Sequence, residues 1–205
     1  MTPEEQLLDY RRSVAAIYAS VRSSHADNLT RWQQFREARD ALFCTHPQSA
    51  LSLEQKAVFS GLHYYPYNPD WRFVLPVEPD PEPATFDVHL KYDGTMRMRR
   101  FGKIHFTVNE QPISLSLYWI EGYGGGVFLP FGDLTNNETT YGGGRYLLDT
   151  IKHADLGHED GHLVIDFNYA YNPSCAYNAR WYCPLASAEN RLSIPIPVGE
   201  QRYGD

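Results

Sequence analysis

The spacing of apolar residues changes once along this chain, and the change limits the folds that the sequence can adopt. From Pro3 to Val21, apolar residues recur at intervals of three, four and seven, which is the spacing of one face of an α-helix. From Trp71 onward, apolar and polar residues alternate instead, as in a strand that is buried on one face. The sequence therefore predicts a helical N-terminal part followed by antiparallel β-structure.

Two further helices are predicted before the spacing changes. The second begins near Asp27 or Thr30 and ends at the HPQS sequence that starts at His46. The third is short: Ser52 begins an S-x-x-Q capping box, and Gly61 is the expected stop.

About eight strands are predicted in the remainder of the chain. Asp93-Gly94 suits a two-residue hairpin turn, and the NEQP sequence at 109–112 predicts a second tight connection. The expected strands lie at 72–76, 86–90, 104–108, 113–119, 127–130, 145–149, 163–167 and 192–197. The predicted fold class is α+β, mainly β: a helical N-terminal third packed on an antiparallel β-sandwich or rolled barrel.

The length of the chain favours a single domain. With 205 residues, it can bury a sizeable core without disulfides or metal. We expect one domain over residues 1–205, with the helices in 1–62 and a β core with long ordered loops in 71–200.

Charge and composition exclude some classes of function. The net charge of −7 opposes binding to nucleic acid, which depends on Lys and Arg neutralising phosphates. No apolar run approaches the roughly 18 residues of a membrane span, and the first residues lack the apolar core of a secretory signal. We expect a cytoplasmic protein with no nucleic-acid or membrane partner, whose cysteines Cys44, Cys175 and Cys183 are not organised as disulfides.

Residues 128–146 contain one candidate ligand-binding stretch. Three glycines precede Arg145, and Asp133, Thr140 and Tyr141 lie nearby in sequence. Glycine lets backbone N–H groups approach an anion, and a guanidinium binds carboxylate or phosphate through two parallel hydrogen bonds. The alternative is structural: the glycines shape a strand entry, and Arg145 pairs internally with Asp133, Asp149 or Asp166.

A second candidate stretch follows the strand predicted at 163–167. It combines a carboxylate, amides, tyrosines and two cysteines with prolines that fix the path of the chain. In a structural interpretation it is a rigid loop over one end of the sheet. In the functional hypothesis it faces the glycine-arginine turn across a pocket. The candidate ligand-binding residues are Asp133, Thr140, Tyr141, Arg145, Asp166, Asn168, Tyr171, Asn172 and Cys175.

These loop motifs resemble a bacterial and archaeal domain-of-unknown-function family, number 1684. They are Asp133, Thr135, Thr140-Tyr141, Gly144-Arg145-Tyr146, Asp166-Phe167-Asn168, Ala170-Tyr171-Asn172-Pro173, Cys175-Ala176-Tyr177, Cys183-Pro184-Leu185, Glu189-Asn190-Arg191-Leu192 and Gly199-Glu200. The resemblance extends over nearly the whole chain, including Trp32 in the second predicted helix. The sequence departs from the family at Asn137, where Gly is expected, and at Ser174, where Pro is usual. The resemblance implies a shared fold and supplies no catalytic residues.

Three classes of function remain open from the sequence. The first is a small-ligand-binding domain in which Arg145 holds an anionic group. The second is a hydrolase-type enzyme with Asp, His or Cys in the same pocket, for instance Asp133 and Asp166 as acid and base or as metal ligands. The third is an interaction or scaffold protein, for which a homodimer is possible. No cofactor and no resident metal are predicted.

Overall fold

Three helices form the N-terminal layer in a computed structural model that describes residues 1–91 and 94–204. They are α1 (Pro3–Ser23), α2 (Asn28–Thr45) and α3 (Leu53–Ala57). Helix α2 begins near the predicted position, where the Asp27 side chain caps it by accepting the backbone N–H of Thr30, and α3 begins at the predicted capping box. Within the described residues, no helix has the length and apolar character needed to cross a membrane.

Nine strands among the described residues form two antiparallel sheets. The strands are β1 (Arg72–Leu75), β2 (Glu78–Pro79), β3 (Thr85–Leu90), β4 (Gly94–Val108), β5 (Gln111–Ile120), β6 (Gly126–Phe131), β7 (Arg145–Asp149), β8 (His158–Glu159) and β9 (His162–Asp166). The larger sheet has the order β2-β4-β5-β6-β7, with β3 also paired to β4, and the smaller has the order β1-β9-β8. The mainly-β α+β prediction is confirmed, with two sheets and no closed barrel.

The tight turn between β4 and β5 is the one predicted from the NEQP sequence. Asn109 and Glu110 have φ of 49° and 64°, the left-handed pair that a two-residue hairpin requires. The other predicted turn includes Asp93, which lies outside the described residues. Asn137, which stands where the family usually has Gly, adopts a left-handed φ of 66°, as expected for Asn.

An aromatic cluster fills the space between the two sheets. The fully buried ring of Phe167 packs against Trp71, Phe73, Phe106 and Phe131, with ring centroids 5.2 to 6.1 Å apart. These residues come from both sheets, from the turn before β1 and from the segment after β9, and aliphatic side chains of β4 to β7 surround them. The alternating pattern that predicted the strands therefore supplies one continuous core.

A second core joins the helical layer to the loops. Phe35 of α2 packs between Tyr18 of α1 and Tyr169, with ring centroids 5.3 and 4.7 Å away. Trp32 donates a 2.9 Å hydrogen bond from its indole nitrogen to the backbone carbonyl of Asn168. The helices are therefore fixed to the segment that follows β9, which is the second candidate stretch.

One strand and one helix end predicted from the sequence are wrong, and β4 begins at Gly94, ten residues before the strand expected at 104–108. Residues 192–197 form no strand, because Pro195 and Pro197 have no N–H to donate to a ladder, although Ile196 between them is buried. Helix α3 ends at Ala57 rather than at Gly61. Gly61 instead takes a φ of 122° and lies beside the Asp40 side chain, which accepts the next backbone N–H, that of Leu62.

Gly144 tests the structural role of the glycines before β7. Its φ is 91°, and an added Cβ would lie 2.5 Å from the Phe131 carbonyl oxygen, so we expect Gly144→Ala to destabilise the protein by about 2 kcal/mol. Gly124 is the matched control, because its φ is 95° and an added Cβ would meet nothing within 4 Å. Urea denaturation of Gly144→Ala and Gly124→Ala measures the difference in the free energy of unfolding. An equal loss in both variants would mean that positive φ alone, and not the contact with Phe131, destabilises Gly144→Ala.

Candidate functional site

Arg145 is sealed in the interior. Its guanidinium has no exposed surface and pairs with Asp133 at 2.9 Å. The same group donates hydrogen bonds to the backbone carbonyls of Ile196, Val198 and Glu200. The open, ligand-facing Arg145 expected from the sequence is therefore not observed, and the alternative interpretation, an internal pair with Asp133, describes its surroundings.

Asp133 and Thr140 hold the preceding loop together. One Asp133 carboxylate oxygen accepts hydrogen bonds from the backbone N–H groups of Thr135 and Ile196, at 2.9 and 3.1 Å. Thr140 is fully buried, and its hydroxyl lies 2.8 Å from that of Thr135. Both residues thus bind neighbouring protein groups and leave no open surface for a ligand.

Asp166 and Asn168 lie together at the end of β9. The Asp166 Oδ1 atom accepts hydrogen bonds from the backbone N–H and the side-chain amide of Asn168, at 2.9 and 2.8 Å. Asn168 is fully buried and also exchanges two 2.8 Å hydrogen bonds with the backbone of Asn68. Asn168 is therefore a loop-positioning residue, whereas Asp166 borders open space.

That open space is a cleft of about 120 Å³ between the helical layer and the smaller sheet. Three arginines from three different elements line it: Arg22 of α1, Arg31 of α2 and Arg72 of β1. Its polar lining also includes Asn28, His158, Glu159 and Asp166. We call this feature the arginine cleft.

The three arginines have unequal partners. Arg72 pairs with Glu159, and Arg22 binds the backbone carbonyl of Asp155, whose carboxylate is 3.9 Å away. Arg31 binds the side-chain oxygen of Asn28, and its buried Nε has no hydrogen-bond partner. Among residues 1–91 and 94–204, no carboxylate forms an ion pair with Arg31. Arg31 is thus a cation in the cleft with an unused donor.

The cleft also contains a carboxyl group with a shifted pKa. Asp166 is 2% exposed, and its burial raises the pKa of its carboxyl group to about 6, although the Asn168 hydrogen bonds and the Arg72 and Arg31 charges act in the opposite direction. A carboxyl group that titrates near neutral pH in a cleft is a common feature of functional sites.

Tyr171 and Asn172 line a different cavity, of about 80 Å³, that we call the tyrosine pocket. Its wall includes Arg39, which pairs with the buried Glu200 at 2.9 Å and lies over the Tyr171 ring at 5.2 Å. The Asn172 backbone N–H donates to Glu200, whereas its buried Oδ1 has no partner. The wall of the pocket is rich in aromatic side chains, and Arg39 and Lys152 are the cationic residues that line it.

Tyr141 and Cys175 form a third group. The Tyr141 hydroxyl lies 3.5 Å from the Cys175 sulfur, and both residues are half-buried. The nine predicted residues are thus distributed among two cavities, this contact, the buried position of Asn168 and the sealed interior around Arg145. In the part of the chain that the structure describes, no three His, Cys, Asp or Glu side chains group to hold a metal ion.

Sequence reasoning missed the three cleft arginines. They lie at positions 22, 31 and 72, in two helices and a strand, and nothing in the local pattern relates them. Gly157 is a weak indication of the position of Arg22. A Cβ at Gly157 would lie 2.9 Å from the Arg22 side chain, and glycine avoids this contact. Asp166 is the one predicted site residue that lines the arginine cleft.

Comparisons with known proteins agree with the resemblance in the loop motifs. A family model described as Protein of unknown function (DUF1684) matches residues 57–201, beginning at the last residue of α3. A solution NMR structure of an uncharacterised protein from Haloarcula marismortui is 30% identical to the chain, with a TM-score of 0.58. That similarity covers 84% of this chain and 92% of the other. No curated protein matches the chain.

Proposed function

Because the chain belongs to the DUF1684 family, whose description assigns no activity, we propose from the site alone that it binds a small molecule through an anionic group. The arginine cleft is the binding site, and the anionic group is a carboxylate or a phosphate. The observation that carries the proposal is Arg31, a cleft-lining arginine with a buried unpaired Nε and no acidic partner among the described residues.

The electrostatics of the chain support this reading. The protein carries a net charge of −7, yet three guanidinium groups line one small cleft, and like charges in close proximity oppose folding. Among the described residues, Arg72 pairs with Glu159 alone and Arg22 with Asp155 alone, so that each guanidinium has further N–H groups for a ligand. An anion that accepts hydrogen bonds from two or three guanidiniums would relieve the repulsion.

The size of the cleft limits what it encloses. A volume of about 120 Å³ corresponds to about four waters, whereas pockets that enclose a whole drug-sized ligand measure about 300 to 1,000 Å³. The arginine cleft therefore encloses one anionic group, and the remainder of a larger ligand would extend into solvent.

The proposal predicts that inorganic phosphate binds at low ionic strength and shifts the Nε–H resonance of Arg31 in NMR spectra. Arg31→Gln should weaken binding about tenfold or more, because a hydrogen bond to a charged group contributes about 1.5 to 3 kcal/mol. Arg97→Gln is the matched control, because Arg97 lies on β4 in an exposed pair with Asp87. A parallel titration with acetate separates a preference for phosphate from a preference for carboxylate.

Unchanged affinity in Arg31→Gln, with its unfolding temperature preserved, would remove the arginine cleft as the binding site. A phosphate-induced shift confined to arginines outside the cleft would have the same consequence. Titrations with sulfate test the role of Asp166, because the charge of sulfate does not change around pH 6. Sulfate binding should strengthen as pH falls below about 6, where Asp166 becomes protonated. His158 also lines the cleft, so Asp166→Asn, which should remove most of this pH dependence, assigns the effect.

A second candidate function is general acid–base catalysis by Asp166 on the bound anion. The observation that favours it is the raised pKa of Asp166, about 6, beside arginines that could hold a substrate. The Asp133 half of the acid–base pair considered from the sequence lies sealed beside Arg145 and does not line the cleft. A panel of phosphate and carboxylate esters tests this candidate: activity should be lost in Asp166→Asn while phosphate binding is retained.

A further inference from the structure

We propose that the tyrosine pocket is a second binding site, which takes the primary amide group of a small neutral molecule. The pocket is separate from the arginine cleft, because the two share no lining residue among those that the structure describes. It also differs in chemistry, since the groups that line it favour a ligand without net charge. The inference does not depend on anion binding in the arginine cleft.

Two buried polar atoms of residues in the pocket wall have no hydrogen-bond partner in the part of the chain that the structure describes. They are Oδ1 of Asn172, an acceptor, and Nε of Arg39, a donor. Asn172 is 3% exposed and Arg39 is 7% exposed. A buried polar atom without a partner costs free energy, so a bound molecule that pairs with both atoms would recover it.

Glu200 and Gln201 hold these two residues in place. The Asn172 side-chain nitrogen donates a 2.7 Å hydrogen bond to the carbonyl of Gln201, which identifies Oδ1 as the unpaired atom. Oε2 of Glu200 accepts both from the Arg39 guanidinium at 2.9 Å and from the Asn172 backbone N–H at 3.1 Å. One carboxylate oxygen therefore fixes the two residues beside each other, with an unused donor on Arg39 and an unused acceptor on Asn172.

The charges at the pocket favour a neutral ligand. Arg39 pairs with Glu200, and Lys152 lies 3.5 Å from the carboxylate of Asp149, so both cations that line the pocket already have an acidic partner. A carboxylate ligand has no donor for Asn172, and an ammonium ligand cannot accept from Arg39. A primary amide carries a carbonyl for Arg39 next to an N–H for Asn172.

The size and the wall of the pocket favour an amide over water. A volume of about 80 Å³ is smaller than a cavity of roughly 150 Å³ that binds benzene, so the pocket encloses the amide group, and the remainder extends toward Lys152, which is more than half exposed. The hydroxyls of Tyr146 and Tyr177 already donate to the Pro184 carbonyl and to Glu200. These two tyrosines therefore have no further donor for water, whereas a planar amide can pack against their rings.

Titration of the unmutated protein with benzamide is the first test. Benzamide should shift the NMR resonances of the Arg39 Nε–H and of the Asn172 side-chain amide. Benzoate has the same shape without the N–H group, so it should bind at these two residues about tenfold or more weakly, because it leaves Asn172 Oδ1 unpaired. No shift at either residue up to the solubility limit of benzamide would leave water as the occupant and overturn the proposal. Equal binding of benzoate would overturn it too.

Inorganic phosphate separates this site from the arginine cleft. It should leave the affinity for benzamide unchanged, whether or not phosphate itself shifts the Arg31 resonance. A benzamide-induced shift at Arg31 without one at Arg39 would overturn the proposal for the tyrosine pocket and would not affect the result of the phosphate titration.

A variant that fills the pocket gives an independent test. Val14 of α1 lines the pocket, so Val14→Phe should weaken benzamide binding about tenfold or more by occupying part of the volume. Ala16→Phe is the matched control, because Ala16 is exposed on the same helix and does not line the pocket. Unchanged affinity in Val14→Phe, with its unfolding temperature preserved, would also overturn the proposal. The titrations of the unmutated chain decide the question if Val14→Phe does not fold.

Discussion

Asp133→Ala is expected to lower the free energy of unfolding by about 3 to 5 kcal/mol, because it leaves the Arg145 guanidinium buried without its acidic partner. Both side chains of this pair have no exposed surface, and their 2.9 Å contact joins the loop after β6 to the first residue of β7. Burial already lowers the pKa of Arg145, and Asp133 is the main charge that opposes this effect. Without the Asp133 carboxylate, the guanidinium charge stays buried with only backbone carbonyls as partners, and the folded state loses stability.

Urea denaturation measures this effect, and an exposed ion pair supplies the control. Asp87→Ala removes the partner of Arg97, which is more than half exposed, so the loss should stay within about 1 kcal/mol. The double variant Asp133→Leu with Arg145→Met should be more stable than Asp133→Ala, since it buries no unpaired charge. An Asp133→Ala loss no larger than that of Asp87→Ala would show that Arg145 finds another partner or reaches solvent.

Asp166→Asn is expected to stabilise the protein at alkaline pH, although it replaces a site residue. The pKa of Asp166 is about 6 in the folded protein, against 3.8 for an unperturbed carboxyl, so the folded state binds the proton more tightly than the unfolded state. Folding stability contributed by this group is therefore present below about pH 4 and is lost as pH rises to about 6. The difference between these two pKa values corresponds to about 3 kcal/mol.

Unfolding curves of Asp166→Asn and the unmutated protein at about pH 4 and about pH 8 test this prediction. The side-chain oxygen of Asn can accept both Asn168 hydrogen bonds, so the variant keeps the local structure and loses the buried charge. The stabilisation should be small at the lower pH and reach about 3 kcal/mol at the higher one. Asp87→Asn should behave in the opposite sense, because its Arg97 partner lowers the pKa of Asp87. Stabilisation by Asp166→Asn that does not change with pH would contradict the assignment.

The two predictions bear on where function lies. Asp133 and Arg145 stabilise each other and use the hydrogen-bonding capacity of the loop around them. Asp166 instead carries an ionisable group whose charge opposes folding, and it does so in a cleft with three arginines. Retention of a destabilising charge in an open cleft is typical of residues that act on a ligand.

Local sequence patterns were enough to predict the three helices and the longer strands in their order. Apolar spacing located α1 and α2, alternation located the principal strands, and the capping box fixed the start of α3. These signals are local, because a helix face and a strand face are defined by neighbours a few residues apart. The strand predicted at 192–197 is absent for a local reason too. Its residues alternate as in a strand, but its prolines have no backbone N–H to donate to a neighbouring strand.

Which charged groups line an open cleft depended on the packing of distant elements. Arg145, next to three glycines, had the stronger local signal, but it packs against carbonyls from residues 196–200 and pairs with Asp133 in the interior. Nothing near Arg22, Arg31 or Arg72 in the sequence marked them as a group, because two helices and a strand must pack before they share a cleft. Whether a charge is buried or open depends on what the distant chain brings against it, and the spacing of residues along the sequence does not contain that information.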